Sequence, residues 1–372
     1  MRFPEFTSEW KKYKADTLFN FFSTNSLSWS ELTYVSGNTK NYHYGLIHRG
    51  LPILTDVNDD RIPFLINDED RKNKEFVRKG DLIFADASED YSGVGQAIEI
   101  ISDSIPAVAG LHTIHAREKK NLMELGFKGF LFNSTQIKDQ LRRLAVGTKV
   151  YGISSKHFKD VNVNIPQDKN EQNKISLFLS AIEKKIETQR KLINNYETLM
   201  NEIYNCSEKE SEYVLKDLVT FEKKTRRMSS EGRDSGIFAF YTNEKKQNKY
   251  IDDYDFNGEY IIANTGGQAN FKYVNGAFAV MSDSLVMKIK EANTPAVYYS
   301  LLSMTQYINN VGFVGSGLKH LDKKWFSNLL IDIPNKKTIE LLEKIEHNLQ
   351  ILKKFESNFL TLKIYLLQAL FV

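Results

Sequence analysis

The sequence predicts a mixed α/β chain made of two similar α/β globules in a pseudo-twofold relation, each followed by one long helix. Three observations carry this. The stretch "SKHFKDVNVNIP" beginning at Ser155 returns 168 residues later as "KKWFSNLLIDIP" beginning at Lys323. "GDLIFAD" from Gly80 returns as "GEYIIAN" from Gly258, at an offset of 178. After the proline of each "IP" pair, Pro166 and Pro334, apolar residues recur in steps of three and four through a segment otherwise rich in Lys, Glu, Asn and Gln.

The elements follow in order. "EWKKYKADTLFNF" and "EYVLKDLVTFEKK" resemble each other loosely and open the two copies. Strand signals such as "DLIFADA", "VAGLHTIHA", "YIIANT" and "FAVMSDSLVMKI" alternate with helical ones such as "FNSTQIKDQLRRLA" and "AVYYSLLSMTQYINNV". Gly147 matches Gly315 and Ile153 matches Leu321 at the offset of 168, so the first copy carries a ten-residue insertion ahead of them. The first long helix has a seam of Ile175, Leu179, Ile182, Ile186, Ile193, Tyr196, Met200 and Ile203, broken by Gln189. The second has Ile339, Leu342, Ile345, Leu349, Leu352, Phe355, Phe359, Leu362, Leu366 and Leu370, with slips in register. So narrow and long a stripe suits a helix paired with another helix. The expected boundaries are 1–170 and 207–336 for the globules, and 171–206 and 337–372 for the helices. The short stretch Cys206 to Val214 is expected to be a loop with some hinge freedom.

Composition narrows the class. A chain of 372 residues with 41% hydrophobic residues buries real cores. No run of about 18 uncharged apolar residues occurs, and "MRFPEFTSEWKKYK" lacks the apolar core of a signal peptide, so no membrane partner and a cytoplasmic location are expected. The single cysteine, Cys206, excludes an internal disulfide and a cysteine zinc cluster, and its place at a predicted helix end reads as structural. Net charge is +3, which neither demands nor excludes nucleic acid. Between Lys216 and Lys249, however, nine Lys or Arg, among them Arg226, Arg227, Lys245 and Lys246, stand against five acids, Asp217, Glu222, Glu231, Asp234 and Glu244.

The opening "RFPEF" with "EW", "GDLIFADAS", "GLHTI", a glycine turn leading to "KxFxxVxVxIP", then "EQNKI" and a long helix, all repeated in weaker form, resemble the specificity (S) subunit of a type I restriction-modification system. The resemblance covers essentially the whole chain. It implies two target recognition domains, each reading one half of a bipartite duplex DNA target, with the two long helices packed between them as an antiparallel coiled coil that sets the unread gap. It further implies docking of two modification (M) subunits, which bind S-adenosylmethionine and methylate adenine, and recruitment of restriction (R) subunits. The S subunit itself is non-catalytic and binds no cofactor. A helix from Glu171 to Tyr204 is ~50 Å long at 1.5 Å per residue, against ~34 to 36 Å for one turn of duplex. The second copy departs from the pattern: "NKKTIELL" replaces the "EQ" segment, leaving its helix start and M contact less defined.

No catalytic constellation accompanies this. An adenine methyltransferase grips a flipped base with a short acidic or Asn residue, two prolines and an aromatic, and none of the seven prolines here adjoins another. "SGVGQA" and "VGFVGSG" read as turns, because they lack the third glycine of a dinucleotide fingerprint and the Gly-Lys-Ser/Thr of a phosphate loop. His112 and His115, three apart in a strand, would face opposite sides and hold no metal. "FEKK" from Phe221 has the Glu-x-Lys of some nucleases without an upstream carboxylate in the usual context.

Sequence readout needs Arg or Lys for guanine and Asn or Gln for adenine, assisted by Ser, Thr and Tyr, on loops held by a rigid frame. "NTGGQANFK" presents Asn264, Thr265, Gln268, Asn270 and Lys272, and it equally suits a plain hairpin turn. Its counterpart "DASEDYSGVGQ" offers Asp86, Ser88, Tyr91 and Gln96. "GTKVYG" and "GSGLKH" occupy equivalent places and supply Thr148, Lys149, Tyr151, Ser316, Lys319 and His320. Lys149, Lys319, Arg226 and Arg227 suit phosphate contacts, which position rather than specify.

Overall fold

The computed structural model describes residues 2–48, 50–71, 74–233, 236–244, 249–290 and 294–371. The chain divides into two compact units, residues 1–189 with 355–372 and residues 190–354, so each long helix contributes to both.

In the first unit, strand Trp10–Lys14 pairs antiparallel with Asn162–Pro166, Trp10 opposite Pro166. The short helix Ala15–Leu18 then turns the chain into a five-stranded sheet, ordered Phe19–Phe22, Thr113–Glu118, Leu82–Ala85, Ala97–Ser102, Leu54–Asp56. The central strand, "LIFA", is buried at all four positions because both faces of the sheet are covered, and a continuous apolar run is what such a strand requires. Leu82 and Phe84 pack with Phe127, Phe130, Ile137 and Leu141 from helices Phe127–Phe132 and Thr135–Leu144. Ile83 and Ala85 face Tyr42, Leu46 and Ile47.

In the second unit, Lys209–Val214 pairs antiparallel with Leu330–Pro334, and Leu215–Leu218 leads into a six-stranded sheet. Its order is Val219–Phe221, Ser284–Ile289, Phe256–Asn264, Phe271–Val280, Phe238–Tyr241, Lys249–Ile251. Ile261, Ala263 and Met287 pack with Val297, Leu301 and Ile308 of helices Thr294–Ser303 and Thr305–Val311.

The units therefore repeat one five-strand order, to which the first adds a separate four-stranded sheet and the second an edge strand, Lys249–Ile251, with two corrections to the sequence alignment. Strand Thr113–Glu118 sets Ala116 opposite Leu82, and Ser284–Ile289 sets Met287 opposite Ile261, so Leu82 corresponds to Ile261 and the true offset is 179. A slip of one residue exchanges the faces of a strand; at 178, core-facing Leu82 would have matched Tyr260, which packs in a different cluster. The starts correspond at an offset of 200, Ala15–Leu18 with Leu215–Leu218, and the expected hinge before Val214 is the strand Lys209–Val214. Cys206 ends its helix exposed and bonded to no other cysteine, which is not a packed structural role.

The helices run Lys169–Cys206 and Lys336–Ala369. The first is anchored by "EQ". Glu171 is fully buried and accepts from Arg2 Nε at 2.6 Å, Arg2 Nη2 at 2.7 Å and Trp10 Nε1 at 3.2 Å. Gln172 accepts from the Glu124 amide and donates to Pro166 and Leu122 carbonyls. The second helix starts without that clamp: Asn335 Oδ1 accepts from the Thr338 amide at 2.9 Å, an ordinary cap. In the first unit Ile175, Leu179, Ile182 and Ile186 share a core with Phe359 and Leu366, and Lys363 pairs with Glu183. In the second, Ile193 and Met200 pack with Ile345, Leu349 and Leu352, and Lys353 pairs with Glu197. Early residues of one helix thus meet late residues of the other, so the pairing is antiparallel. Phe355 and Leu362 are 49% and 41% exposed, because two successive steps of three, Leu349 to Leu352 to Phe355, rotate the stripe off the seam.

At the start of the central strand Asp81 is buried and accepts from His115 Nε2 at 2.7 Å, Arg117 Nε at 2.9 Å and the Arg78 amide at 2.8 Å. Burial raises its pKa, but these donors outweigh it and hold the carboxyl below its ordinary 3.8. A depressed carboxylate contributes stability above its unfolded pKa that is lost as pH falls through the folded one. Asp81→Asn is expected to cost about 1–3 kcal/mol at neutral pH, with the gap to the parent narrowing below the ordinary carboxyl value of 3.8, in urea unfolding followed by circular dichroism.

Candidate nucleic-acid interface

Each unit brings the same two loops together by the same backbone bonds. In the first, the Ile153 amide donates to the Asp86 carbonyl at 2.7 Å, and Tyr151 lies opposite Ser88 in a two-residue ladder. In the second, the Leu321 amide donates to the Thr265 carbonyl at 2.9 Å, and the Gly267 amide to the Lys319 carbonyl at 2.9 Å. Gly147 has φ of 139°, and a Cβ there would sit 1.8 Å from the Val150 carbonyl oxygen, so the first turn requires glycine.

On the first rim, Thr148 and Lys149 are exposed and Tyr91 packs edge-on to Tyr151 with ring centroids 5.2 Å apart. Ser88 is buried: its Oγ donates to the Asp90 carbonyl and accepts from the Asp90 amide. Gln96 Nε2 donates to the Ile47 carbonyl at 3.0 Å. These two therefore shape the loop, while Tyr91, Thr148, Lys149 and Tyr151 form its accessible edge.

On the second rim, a cleft of about 290 Å³ is lined by Asn243, Asn264, Gln268, Asn270, Asp283 and His320. Asn264 and Thr265 are buried, donating to the carbonyls of Asn243 at 2.8 Å and Asp283 at 2.6 Å, so they too hold the loop. Gln268, Ser316, Lys319 and His320 are exposed and Asn270 is half-buried. Lys272 is pinned by bonds to the carbonyls of Thr242 at 2.8 Å and Glu244 at 2.6 Å, and burial pushes its pKa down to about 8.

The two arginines divide. Arg226 is exposed. Arg227 is mostly buried and spent on Asp255 at 2.8 Å, Asp253 at 3.1 Å and Glu231 at 3.8 Å, a neutralised loop anchor in place of the expected phosphate contact. Asp234, Lys245 and Lys246 lie outside the described residues.

Sequence reasoning missed several residues beside these loops. His112 does not lie in a strand; it precedes Thr113–Glu118 with φ of 53°, its Nδ1 3.2 Å from Asp86 Oδ1, while His115 is buried against Asp81. His48 Nε2 is 2.8 Å from the Ala87 carbonyl, and Tyr44 meets both His48 and His112 edge-on. The dense aromatic run "YHYGLIH" was the available signal. Asn243 and Asp283 sit just past strand ends, where residue type alone says little.

The sequence model of the family described as type I restriction modification DNA specificity domain matches residues 7–197 and again 208–369. The chain belongs to that family. Its two matched segments are thus two DNA-specificity domains. A protein of Mycoplasma pneumoniae named as type I specificity subunit S.MpnORF507P is 30% identical over 154 residues, 39% of this chain and 40% of that one, so the match spans less than half of either. The crystal structure of a type I restriction-modification S subunit from M. genitalium is similar in fold, with a TM-score of 0.61 and 16% identity over 100% of this chain and 98% of that one. Among the described residues no helix is long and apolar enough to cross a membrane.

Arg226→Ala and Lys319→Ala are each expected to reduce the slope of log affinity against log salt by about one without changing the preferred sequence. Arg227→Ala is expected instead to lower the thermal midpoint, since it strands a partly buried carboxylate at Asp255. Fluorescence anisotropy across a salt series, with melting curves beside it, checks both.

Proposed function

We propose that this chain reads an asymmetric bipartite DNA target, one half-site per unit, and directs adenine methylation and restriction carried out by partner subunits. The observation that supports it most is the pair of rims: one backbone frame, built twice, displaying different side chains. Tyr91, Thr148, Lys149 and Tyr151 stand on the first, Gln268, Asn270, Ser316, Lys319 and His320 on the second. A frame that repeats while its displayed groups differ suits two half-sites of different sequence, since base edges are told apart by the pattern of donors and acceptors set against them.

In this proposal two M subunits, carrying S-adenosylmethionine, dock on the paired helices and rotate the target adenine out of the stack, and R subunits cleave unmodified DNA. The chain itself does no chemistry, binds no cofactor and works in the cytoplasm. Ser88, Gln96, Asn264, Thr265 and Lys272 act as supports of the reading loops, and Arg227 as an anchor.

The test is single-molecule methylation sequencing of DNA from a host co-expressing the chain with its M subunit. Two short specified blocks around an unspecified gap are expected, and Gln268→Ala with Asn270→Ala is expected to relax one block while leaving the other intact. Absence of methylation, with the complex with M still forming on a sizing column, would mean a scaffold that binds M without reading DNA.

A further inference from the structure

His112 is unusual in both backbone and side chain. Among the described residues only His112 and Asn121 adopt positive φ without being glycine, His112 at 53°. That conformation is disfavoured for an L residue and persists where the surroundings or a function demand it. It lies in the turn before Thr113–Glu118, where its carbonyl accepts from the Asp86 amide, and its side chain is 51% exposed. The imidazole is nevertheless held from two sides: Nδ1 lies 3.2 Å from Asp86 Oδ1, and Tyr44 packs edge-on with ring centroids 5.2 Å apart at 82°. An exposed ring fixed at a strained position, beside the loop carrying Tyr91, is an oriented group with one face left to offer.

The second unit supports the assignment. The Asp86 amide donates to the His112 carbonyl, and the Thr265 amide donates to the Asp283 carbonyl, so His112 and Asp283 hold the same place in the two frames. Asp283 lines the cleft of the second rim. One backbone position thus carries an imidazole in one unit and a carboxylate in the other, as a position that distinguishes two half-sites must.

We infer that His112 is a base-reading residue of the first unit, with Asp86 as its positioning residue, and that it selects adenine or cytosine at one position of that unit's half-site. This rests on the proposed reading of DNA by each unit. An ionised carboxylate only accepts, so Asp86 places the proton on Nδ1. In the tautomer so fixed, Nε2 presents its lone pair outward. In the major groove that acceptor matches the exocyclic amines, N6 of adenine or N4 of cytosine, and meets only acceptors on guanine and thymine.

The experiment is selection from duplexes randomised in both half-sites, using the full chain purified with its M subunit. The parent is expected to enrich a bipartite motif. His112→Ala is expected to lose about ten-fold of its discrimination at one adenine or cytosine of one half-site, with the other half-site unchanged. His112→Gly, which suits the left-handed backbone, is expected to melt no lower than the parent and to show the same relaxed base, which separates reading from folding. Asp86→Asn is expected to weaken the exclusion of guanine and thymine there, since an amide can either accept from Nδ1–H or donate to Nδ1, and the latter leaves Nε2–H as a donor. If both His112 variants select the parental motif with parental affinity, the inference is overturned. A parent that enriches no motif overturns the DNA-reading proposal and this inference with it.

Discussion

Each half of the chain is closed by the antiparallel pairing of its opening strand with the strand that ends at proline. Trp10–Lys14 clasps Asn162–Pro166, and Lys209–Val214 clasps Leu330–Pro334. This clasp fixes where each long helix begins, because proline ends the strand and the helix follows within a few residues. It also closes the core: Val163 and Ile165 pack inward in the first unit, Ile331 in the second. The clasp therefore ties the unit that carries the loops to the helix that carries the unit.

The rim loops depend on that frame in a particular way. They are held by main-chain bonds, Ile153 to Asp86 and Leu321 to Thr265, and by side chains that turn inward, such as Ser88, Asn264 and Thr265. A loop held by its backbone leaves its outward side chains free to differ, and function gathers on such positions. The first loop, 86–96, is longer than 265–270 and contains the turn Tyr91–Gly93, so the units differ in shape as well as in chemistry.

Much of this was legible in the sequence. The repeat of "IP", the heptad stripes and the two glycine turns marked the strands, the helices and the loops that meet. What was not legible has physical causes. Strand faces alternate with a period of two, so the one-residue error in matching "GDLIFAD" to "GEYIIAN" looked harmless in letters and inverted every side chain. Residue type alone did not separate Arg226 from Arg227, since only the fold brings Asp253 and Asp255 to the second of them. Nor did it show that His112 leaves the strand at a left-handed turn, because His, unlike Gly, does not announce one.

The central proposal is that each unit reads its own half-site and that the paired helices set the gap between the half-sites. Inserting seven residues into each long helix, after Gln189 and after Lys354, keeps the heptad phase and adds ~10 Å of helix, about three base pairs at 3.4 Å each. Methylation sequencing of this variant should show both half-sites unchanged in sequence and the gap between them lengthened. An unchanged gap, or half-sites with different bases, would contradict the account.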